Sequence, residues 1–360
     1  MEQVINLPSL FVIIGLTIIL LCVLLLPFFV KVIEHNLEAF LFVMGIIAVT
    51  ISNLWSFEVI KTAIISPVHP KHPIVEVVFL AGIIFIYFSD KIESVTNKIE
   101  KKLGLKLFVF CVIFLLGLFS SVITAIIASL VLVEIISVLK FDKETETNIV
   151  IFSCFSIGLG AVLTPVGEPL STIAVSRLKG EPYFADFFFL LRIMALLIVP
   201  GILLCSVAGA YYIKKEIVSK DTLKEKKRET YKDVIIRSAK VYLFIMALEL
   251  LAKGFSPVVD YLMPKVKPQI LYWINMISAI LDNATLTAAE ITPKMELLQI
   301  KAMLMGLLIS GGMLIPGNIP NIISASKLKI GSKDWARLGV PFGFFLLIIY
   351  YVVLFIIIRK

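Results

Sequence analysis

The chain has 360 residues, of which 59% are hydrophobic and 17% charged, and its mean hydropathy is +1.00. Soluble domains contain an apolar share nearer half, so this composition excludes an ordinary soluble protein and predicts an all-α polytopic membrane protein. Lys and Arg outnumber Asp and Glu by 34 to 26, but the basic residues lie in short loops between apolar segments. That distribution is typical of membrane topology, so the lipid bilayer is the expected partner and nucleic acid is not.

Apolar segments that approach or exceed the length needed to cross a bilayer, about 20 residues, recur along the chain. The first has no basic region before it and no small-residue cleavage site after it, which predicts a retained span rather than a signal peptide. The predicted spans are 8–30, 37–54, 73–89, 184–212, 238–255 and 335–358. Between them lie two long interrupted stretches, 106–139 and 269–296, and two segments broken by proline, 148–178 and 299–328.

The two broken segments resemble each other. Residues 160–180 read GAVLTPVGEPLSTIAVSRLKG, and residues 311–331 read GGMLIPGNIPNIISASKLKIG. Their two prolines coincide at one offset, which sets Asn318 opposite Gly167, whereas the SRLK and SKLK runs coincide only after a slip of one residue. Hydrophobic helices broken at matching places in two halves of a chain indicate a transport site in a membrane.

Both halves have one order of elements: a span, an interrupted stretch, a broken segment and another span. Each interrupted stretch has two apolar arms of about 15 residues, too short to cross alone, joined by a polar tip, which predicts a re-entrant hairpin. The expected organisation is a first repeat with extra N-terminal spans at 1–212, a cytoplasmic linker at 213–237 and a second, inverted repeat at 238–360.

Counting basic residues favours the inverted arrangement. With two hairpins, 22 Lys and Arg lie on the side that holds Lys31 and the loops 89–106, 140–147, 213–240 and 327–337, and 11 lie on the other side. The positive-inside rule then places the central basic loop in the cytoplasm and both ends of the chain outside, in a multi-pass protein of the cell membrane. Two full spans in place of either hairpin would separate 213–240 from 327–337 and weaken this bias.

The polar interruptions are the candidate ion or substrate site. Proline removes an amide donor and frees a carbonyl about one turn earlier, and such groups are costly in hydrocarbon unless they line a cavity or hold a ligand. Half-helix C-termini offer carbonyls to cations, and N-termini offer amides to anions. The candidate binding residues are Ser120, Ser121 and Thr124 at the first tip, Asp282, Asn283 and Thr285 at the second tip, Thr164, Glu168 and Ser171 in the first break, and Asn318 in the second break.

Two acids decide the sign of the expected ligand. A charge at the bilayer centre costs roughly 2.5–3.5 kcal/mol even on the lenient insertion scale, so Asp282 and Glu168 indicate a hard cation, with Na⁺ as the candidate metal ion. The structural alternative is that each acid stays protonated, or pairs with Arg192 or Lys253 inside the spans, to hold helices together. Two further acids, Glu134 and Glu290, are expected at a hydrated rim, and Lys327 is expected to extend its amine towards the interface.

Two motifs carry a resemblance to a known superfamily. The run Leu281-Asp282-Asn283-Ala284-Thr285 resembles the Asp-Asn-x-x-Thr type of hairpin tip, and Thr164-Pro165-Val166-Gly167-Glu168 is similar to a (Ser/Thr)-Pro-Ile-Gly-Asp break with Glu for Asp. The chain thereby resembles the ion transporter superfamily, which includes sodium/proton antiporters, arsenite permeases and dicarboxylate transporters. The resemblance covers roughly residues 70 to 358.

The resemblance implies a transport domain, made of the two hairpins and the two broken helices, and a scaffold domain that is often dimeric, which leaves a homodimer open. The expected function is secondary active transport by alternating access, Na⁺ against H⁺, without enzyme activity and without a cofactor other than the transported or coupling Na⁺. The alternative is an anion permease for a dicarboxylate, arsenite or another oxyanion, with or without coupling to sodium, and a channel stays open. An intramembrane aspartyl protease is disfavoured because neither acid lies in a Gly-x-Gly-Asp setting.

Overall fold

The structure is a computed structural model that describes residues 8–68, 74–139, 141–213, 230–262, 266–281 and 283–357. Its regular elements are all helical. Four helical segments are long and apolar enough to cross a membrane by length and composition: Leu10–Pro27, Leu105–Ile123, Phe189–Tyr211 and Ser332–Ile357. The chain is therefore an all-α, membrane-embedded protein.

The helices of the first half are α1 (Leu10–Phe29), α2 (Lys31–His35), α3 (Leu37–Ile51), α4 (Phe57–Ile65), α5 (Ile74–Leu103), α6 (Leu105–Ile123), α7 (Ala125–Val138), α8 (Lys143–Ala161), α9 (Pro169–Arg177) and α10 (Phe189–Tyr211). Those of the second half are α11 (Tyr231–Leu262), α12 (Pro268–Ile274), α13 (Asn283–Glu290), α14 (Leu297–Met313), α15 (Ile319–Leu328) and α16 (Ser332–Val352). Two 3-10 segments, Asn275–Ala279 and Ile315–Gly317, lie among the latter, and a π-helical turn, Val353–Ile357, follows α16.

Polar caps begin the two long helices that lead into the breaks. The Asp142 carboxylate accepts hydrogen bonds from the amides of Glu144 and Thr145 at the start of α8. Glu296 and Gln299 form a reciprocal capping box at the start of α14. Such caps satisfy amides that have no partner inside the helix, so both helices begin at defined residues.

The two predicted interrupted stretches contain helices of different lengths. The first, 106–139, is α6 followed by α7 with Thr124 between them. Because α6 has 19 residues and is apolar enough to cross a membrane, the expectation that both arms are too short was wrong for this arm. The second, 269–296, contains α12, a 3-10 segment and α13, of 7, 5 and 8 residues, all too short to span.

Other boundaries differ from those expected. The sequence reading assigned no element to α4, whose first turn is capped by Ser56. Helix α5 runs to Leu103, well beyond the predicted end at 89. Helix α11 begins at Tyr231, inside the predicted linker 213–237, of which residues 214–229 lie outside the described part of the chain.

Two packing groups position the breaks. In one group α11 packs along α3 and against α4 and α5. In the other α8 packs against α6, α10 and α14, while α14 packs against α12 and α16. Both α8 and α14 are buried along most of their length, and the breaks that follow them are mostly buried as well, although Val166 in the first break is 49% exposed.

Candidate functional site

The first tip, between α6 and α7, is bonded directly to the first helix break. The Thr164 hydroxyl donates to the carbonyl of Ser121 at 2.5 Å, and the amide of Ala125 donates to the carbonyl of Gly167 at 2.9 Å. One bond thus satisfies a carbonyl in the last turn of α6 and the other an amide at the start of α7. The tip and the break hold each other in place.

Helices α6 and α8 approach each other closely beneath this junction. The Ser120 hydroxyl lies within hydrogen-bonding distance of the carbonyls of Gly117, at 2.7 Å, and Ile157, at 3.0 Å. A Cβ atom placed on Gly160 would lie 1.8 Å from the Gly117 carbonyl oxygen, so no larger residue fits without moving a helix. The contact explains why glycine occupies position 160.

Inside the first break, Glu168 is buried and precedes α9 directly. Its backbone is extended, its residue surface is 8% exposed, and Pro169 is the first residue of the helix. The Ser171 hydroxyl reaches the carbonyls of Thr164 and Glu168, both at 2.7 Å. The break therefore places a carboxyl group and several backbone carbonyls together within the protein.

Thr124 has a strained backbone between α6 and α7. Its φ of 75° and ψ of 150° lie in a region that is essentially restricted to glycine, and its β-branched side chain makes that conformation costlier. The Thr124 hydroxyl accepts a hydrogen bond from the amide of Ile127 and so caps α7. Strain of this kind is concentrated at functional sites in proteins.

The second tip also lies on the break of its own half. The Ser278 hydroxyl donates to Asn283 Oδ1, and its oxygen lies 3.2 Å from the carbonyl oxygen of Leu307. A Cβ atom on Gly317 would lie 2.9 Å from the Ser278 carbonyl oxygen, and one on Gly311 would lie 2.7 Å from Asn283 Nδ2. The start of α13 is thus packed against the end of α14 and the turn that follows it.

Two asparagines occupy the second break. The Asn321 amide donates to the carbonyls of Gly311 and Leu314, both at 2.8 Å, and so satisfies the carbonyls that the break frees. Asn318 has an extended backbone, precedes α15 and is 9% exposed. Its Nδ2 atom is buried without a hydrogen-bond partner in the described part of the chain.

The hydrogen bonds of the two breaks correspond at an offset of 150 residues. In each break a glycine amide donates at 3.2 Å to the carbonyl three residues earlier: Gly167 to Thr164, and Gly317 to Leu314. The residue after each glycine, Glu168 or Asn318, is extended and begins the next helix. Pairing Asn318 with Gly167, as the prolines suggest, was therefore wrong, because Asn318 occupies the position of Glu168.

The two halves contact each other at these elements. Helix α9 packs against α13, and helix α7 packs against α15. A Cβ atom on Gly158 of α8 would lie 2.8 Å from Asn318 Nδ2, which places the second break against the end of α8. The tips and breaks of both halves form one contiguous polar region within the protein.

Most of the predicted site residues lie in this region. Ser120, Ser121, Thr124, Thr164, Glu168 and Ser171 come together at the first break, and Asn283 and Asn318 at the second. Asp282 lies outside the described residues, directly before α13. Thr285 belongs to α13, but its side chain also lies outside what the structure describes.

A family model matches residues 13–357, which is nearly the whole chain. The chain belongs to the DUF1646 family. The description of that family is "Protein of unknown function (DUF1646)". No curated protein matches the chain. The match to DUF1646 spans both packing groups and both breaks, so the region described above belongs to the part of the chain that defines the family.

Three buried polar residues of this DUF1646 member were not among the predicted site residues: Asn275, Glu290 and Asn321. Glu290 was expected at a hydrated rim, but it is 5% exposed, and one of its carboxylate oxygens accepts a hydrogen bond from Asn275 at 2.9 Å. Asn321 could have been found from the SRLK and SKLK offset, which aligns it with Ser171. The proline offset concealed that match.

Two expectations for charged residues were also wrong. Glu134 and Lys327 form a salt bridge between α7 and α15, with side chains 14% and 10% exposed, instead of extending towards water. Arg192, expected well inside a span, lies in the first turn of α10 and donates to both carboxylate oxygens of Asp186, at 3.0 and 2.9 Å. These hydrogen bonds hold the pKa of Asp186, in the loop before α10, below its usual range.

The donor set at the breaks consists of hydroxyls, amides and backbone carbonyls with the Glu168 carboxyl group. Among the described residues, no three His, Cys, Asp or Glu side chains come close enough to hold a metal ion. Oxygen donors with few charges suit a weakly bound hard cation and not a transition metal, which prefers nitrogen or sulfur ligands.

Proposed function

We propose that this protein is a secondary active transporter that exchanges Na⁺ for H⁺ by alternating access, with a relationship to the ion transporter superfamily. The observation that carries the proposal is the attachment of each hairpin tip to the helix break of its own half. Broken helices whose freed backbone groups face one another inside a membrane protein are the architecture in which secondary transporters bind ions.

The matched hydrogen bonds support two repeats, which we propose to be inverted. Ser120 Oγ lies 3.0 Å from the Ile157 carbonyl oxygen in the first half, and Ser278 Oγ lies 3.2 Å from the Leu307 carbonyl oxygen in the second, which extends the correspondence from the breaks to the tips. The crossing pairs, α7 with α15 and α9 with α13, exchange equivalent elements between the halves. With opposite orientations, the basic loops collect on one side, which we assign to the cytoplasm of a cell-membrane protein with both termini outside.

In this proposal Glu168 and Asp282 alternate between a proton and Na⁺. Glu168 is buried at the start of α9, and Asp282 directly precedes α13, the helix that packs against α9. Burying a carboxylate is costly without a compensating cation or proton, so a vacated site favours taking up the other ion. Thr164, Ser171 and the carbonyls of the first break supply further oxygens for Na⁺, and Asn283 and Asn318 are the candidate ligands from the second half.

Alternating access requires one part of the protein to move against another. The tips, breaks and helices around α8 and α14 form the part that holds the ion in this proposal, and α3, α5 and α11 form the scaffold. Contacts of α5 with α7 and of α11 with α13 and α15 join the two parts. Rocking at these contacts would expose the ion to each side of the membrane in turn.

A permease for an anion is the second candidate, and one observation favours it. The Nδ2 atoms of Asn283 and Asn318 are buried donors without partners in the described ranges, and amide donors suit an anion. The nearby cations are already engaged, since Lys327 pairs with Glu134 and Arg192 with Asp186. Because these basic side chains are already paired with acids, the charges favour a transported cation over a transported anion.

Ligand-dependent thermal unfolding of the purified protein separates the two candidates. A ligand at 100 times its Kd stabilises the folded state by about 2.7 kcal/mol. We expect stabilisation by Na⁺ or Li⁺, little by K⁺, and a smaller Na⁺ effect in Glu168→Gln than in the wild type. Asp186→Asn, which neutralises an exposed loop acid, is the control and should keep the effect. Stabilisation by succinate or arsenite with none by Na⁺ would establish the permease instead.

A further inference from the structure

Asn275 and Glu290 form a buried polar pair away from the first break. Asn275 begins the 3-10 segment after α12 and is 0% exposed, and Glu290 ends α13 and is 5% exposed. The Asn275 amide nitrogen donates to Glu290 Oε2 at 2.9 Å and to the Met303 carbonyl of α14 at 3.3 Å. The pair therefore joins three elements of the second half in its interior.

The hydrogen bonds fix which way the Asn275 amide points. Both of its N–H groups have oxygen partners, and the flipped orientation would press Oδ1 against a carboxylate and a carbonyl. Oδ1 therefore remains an acceptor. It is buried with no hydrogen-bond partner in the part of the chain that the structure describes, and the same holds for Glu290 Oε1.

Two neighbouring side chains thus each present a buried acceptor with no donor to satisfy it. Buried polar groups are almost always paired, and an uncompensated buried carboxylate is especially costly. A cation satisfies acceptors where a donor is lacking, and one carboxylate with amide and carbonyl oxygens is a donor set for a hard monovalent ion.

We propose that Asn275 Oδ1 and Glu290 Oε1 are ligands of a second, structural or coupling site for a monovalent cation of the Na⁺ class in the second half. The site lies at the end of α13 opposite to the one that begins at Asn283. It is separate from Glu168, and its existence does not depend on whether the protein transports Na⁺ in exchange for protons.

The close packing of α14 against α12 and the 3-10 segment supports a preformed cation site at Asn275 and Glu290. A Cβ atom on Gly306 would lie 2.8 Å from the Tyr272 carbonyl oxygen and 3.3 Å from the Asn275 Cβ atom. The absence of a side chain at position 306 lets α12 and the 3-10 segment lie directly on α14. That contact brings Asn275 within reach of the Met303 carbonyl and holds its amide in the required orientation.

Equilibrium binding of ²²Na⁺ to the purified full-length chain in detergent tests the proposal. Glu290→Gln keeps the shape of the side chain and removes its charge, and it should lower the affinity of one class of sodium sites at least about tenfold. Asn275→Ala removes the second ligand and should weaken the same class of sites. Glu168→Gln, the matched carboxyl-to-amide control at the proposed transport site, should leave this class intact.

The outcomes separate this site from the proposed function. Binding that disappears in Glu168→Gln and is unchanged in Glu290→Gln and Asn275→Ala overturns the second site and leaves the transport proposal standing. Glu290-dependent binding in a protein that shows no sodium-driven proton movement supports the second site and contradicts the transport proposal. If Glu290→Gln does not fold, the Asn275→Ala isotherm decides, and an isotherm equal to the wild type overturns the site.

Discussion

The Asn321→Leu substitution tests whether the second break is held by its asparagine. The Asn321 amide is 0% exposed and donates to two buried carbonyls, those of Gly311 and Leu314, at 2.8 Å each. Leu has nearly the same volume and no donor, so the substitution removes both bonds without creating a cavity. The Gly311 carbonyl would then lose its side-chain donor, whereas the Leu314 carbonyl would keep the Gly317 amide as a partner.

The expected loss of stability follows from the groups left unsatisfied. The orphaned Gly311 carbonyl costs about 1–3 kcal/mol, and the lost bond to the Leu314 carbonyl costs about 0.5–1.5 kcal/mol, which gives about 1.5–4.5 kcal/mol together. Leu also removes Asn321 Oδ1, which has no partner among the described residues, and this returns about 1–3 kcal/mol. We therefore expect a net loss of about 1 kcal/mol.

Reversible unfolding of the purified protein in detergent, followed by circular dichroism, measures this loss. Asn318→Leu is the matched control, because Asn318 Nδ2 has no hydrogen-bond partner in the described part of the chain. By the same reasoning, that variant should be as stable as the wild type or more stable by up to about 3 kcal/mol. An Asn321→Leu protein as stable as the wild type, or equal losses in both variants, would refute the reasoning.

Two further predictions concern strain and charge near the tips. Thr124→Gly should relieve a strained backbone worth about 1–3 kcal/mol and lose only a few tenths for the cap, whereas Thr124→Ala keeps the strain and loses about 1 kcal/mol of capping. Thermal unfolding should therefore rank Gly above Thr above Ala, and the reverse order would contradict the strain. Glu134→Leu or Lys327→Met alone should cost about 3–5 kcal/mol, and the double variant should recover most of it. Additive losses in that double-mutant cycle would show that the two groups do not interact.

The positions of the breaks could be predicted from the sequence, because proline and glycine interrupt a helix for local reasons. The residue-by-residue alignment of one break with the other could not be predicted in this way. Pro169 is the first residue of α9, whereas Pro320 is the second residue of α15. Both positions lie in the first turn, where proline costs nothing in hydrogen bonds, so proline can shift by one residue while the break stays the same. The side-chain donors Ser171 and Asn321 occupy equivalent positions in the two breaks and therefore give the correct alignment.

Contacts between distant parts of the chain explain why the burial of some acids could not be predicted from the sequence. Glu134 and Lys327 lie far apart in the chain and each is placed near the end of an apolar segment, a pattern that is typical of hydrated rims. Packing of α7 against α15 brings them together in the interior. Glu290 is likewise followed by a polar Thr-Pro-Lys run that resembles a loop, and only the contact with Asn275 shows that it is buried.

Proton movement in proteoliposomes under an imposed sodium gradient tests the central claim most directly. With the wild-type protein and a pH-sensitive dye inside, adding Na⁺ outside should drive protons out and make the interior alkaline. Glu168→Gln should abolish this response, while Asp186→Asn should retain it. A wild-type protein that shows no sodium-dependent pH change, or a Glu168→Gln variant that matches it, would contradict the account.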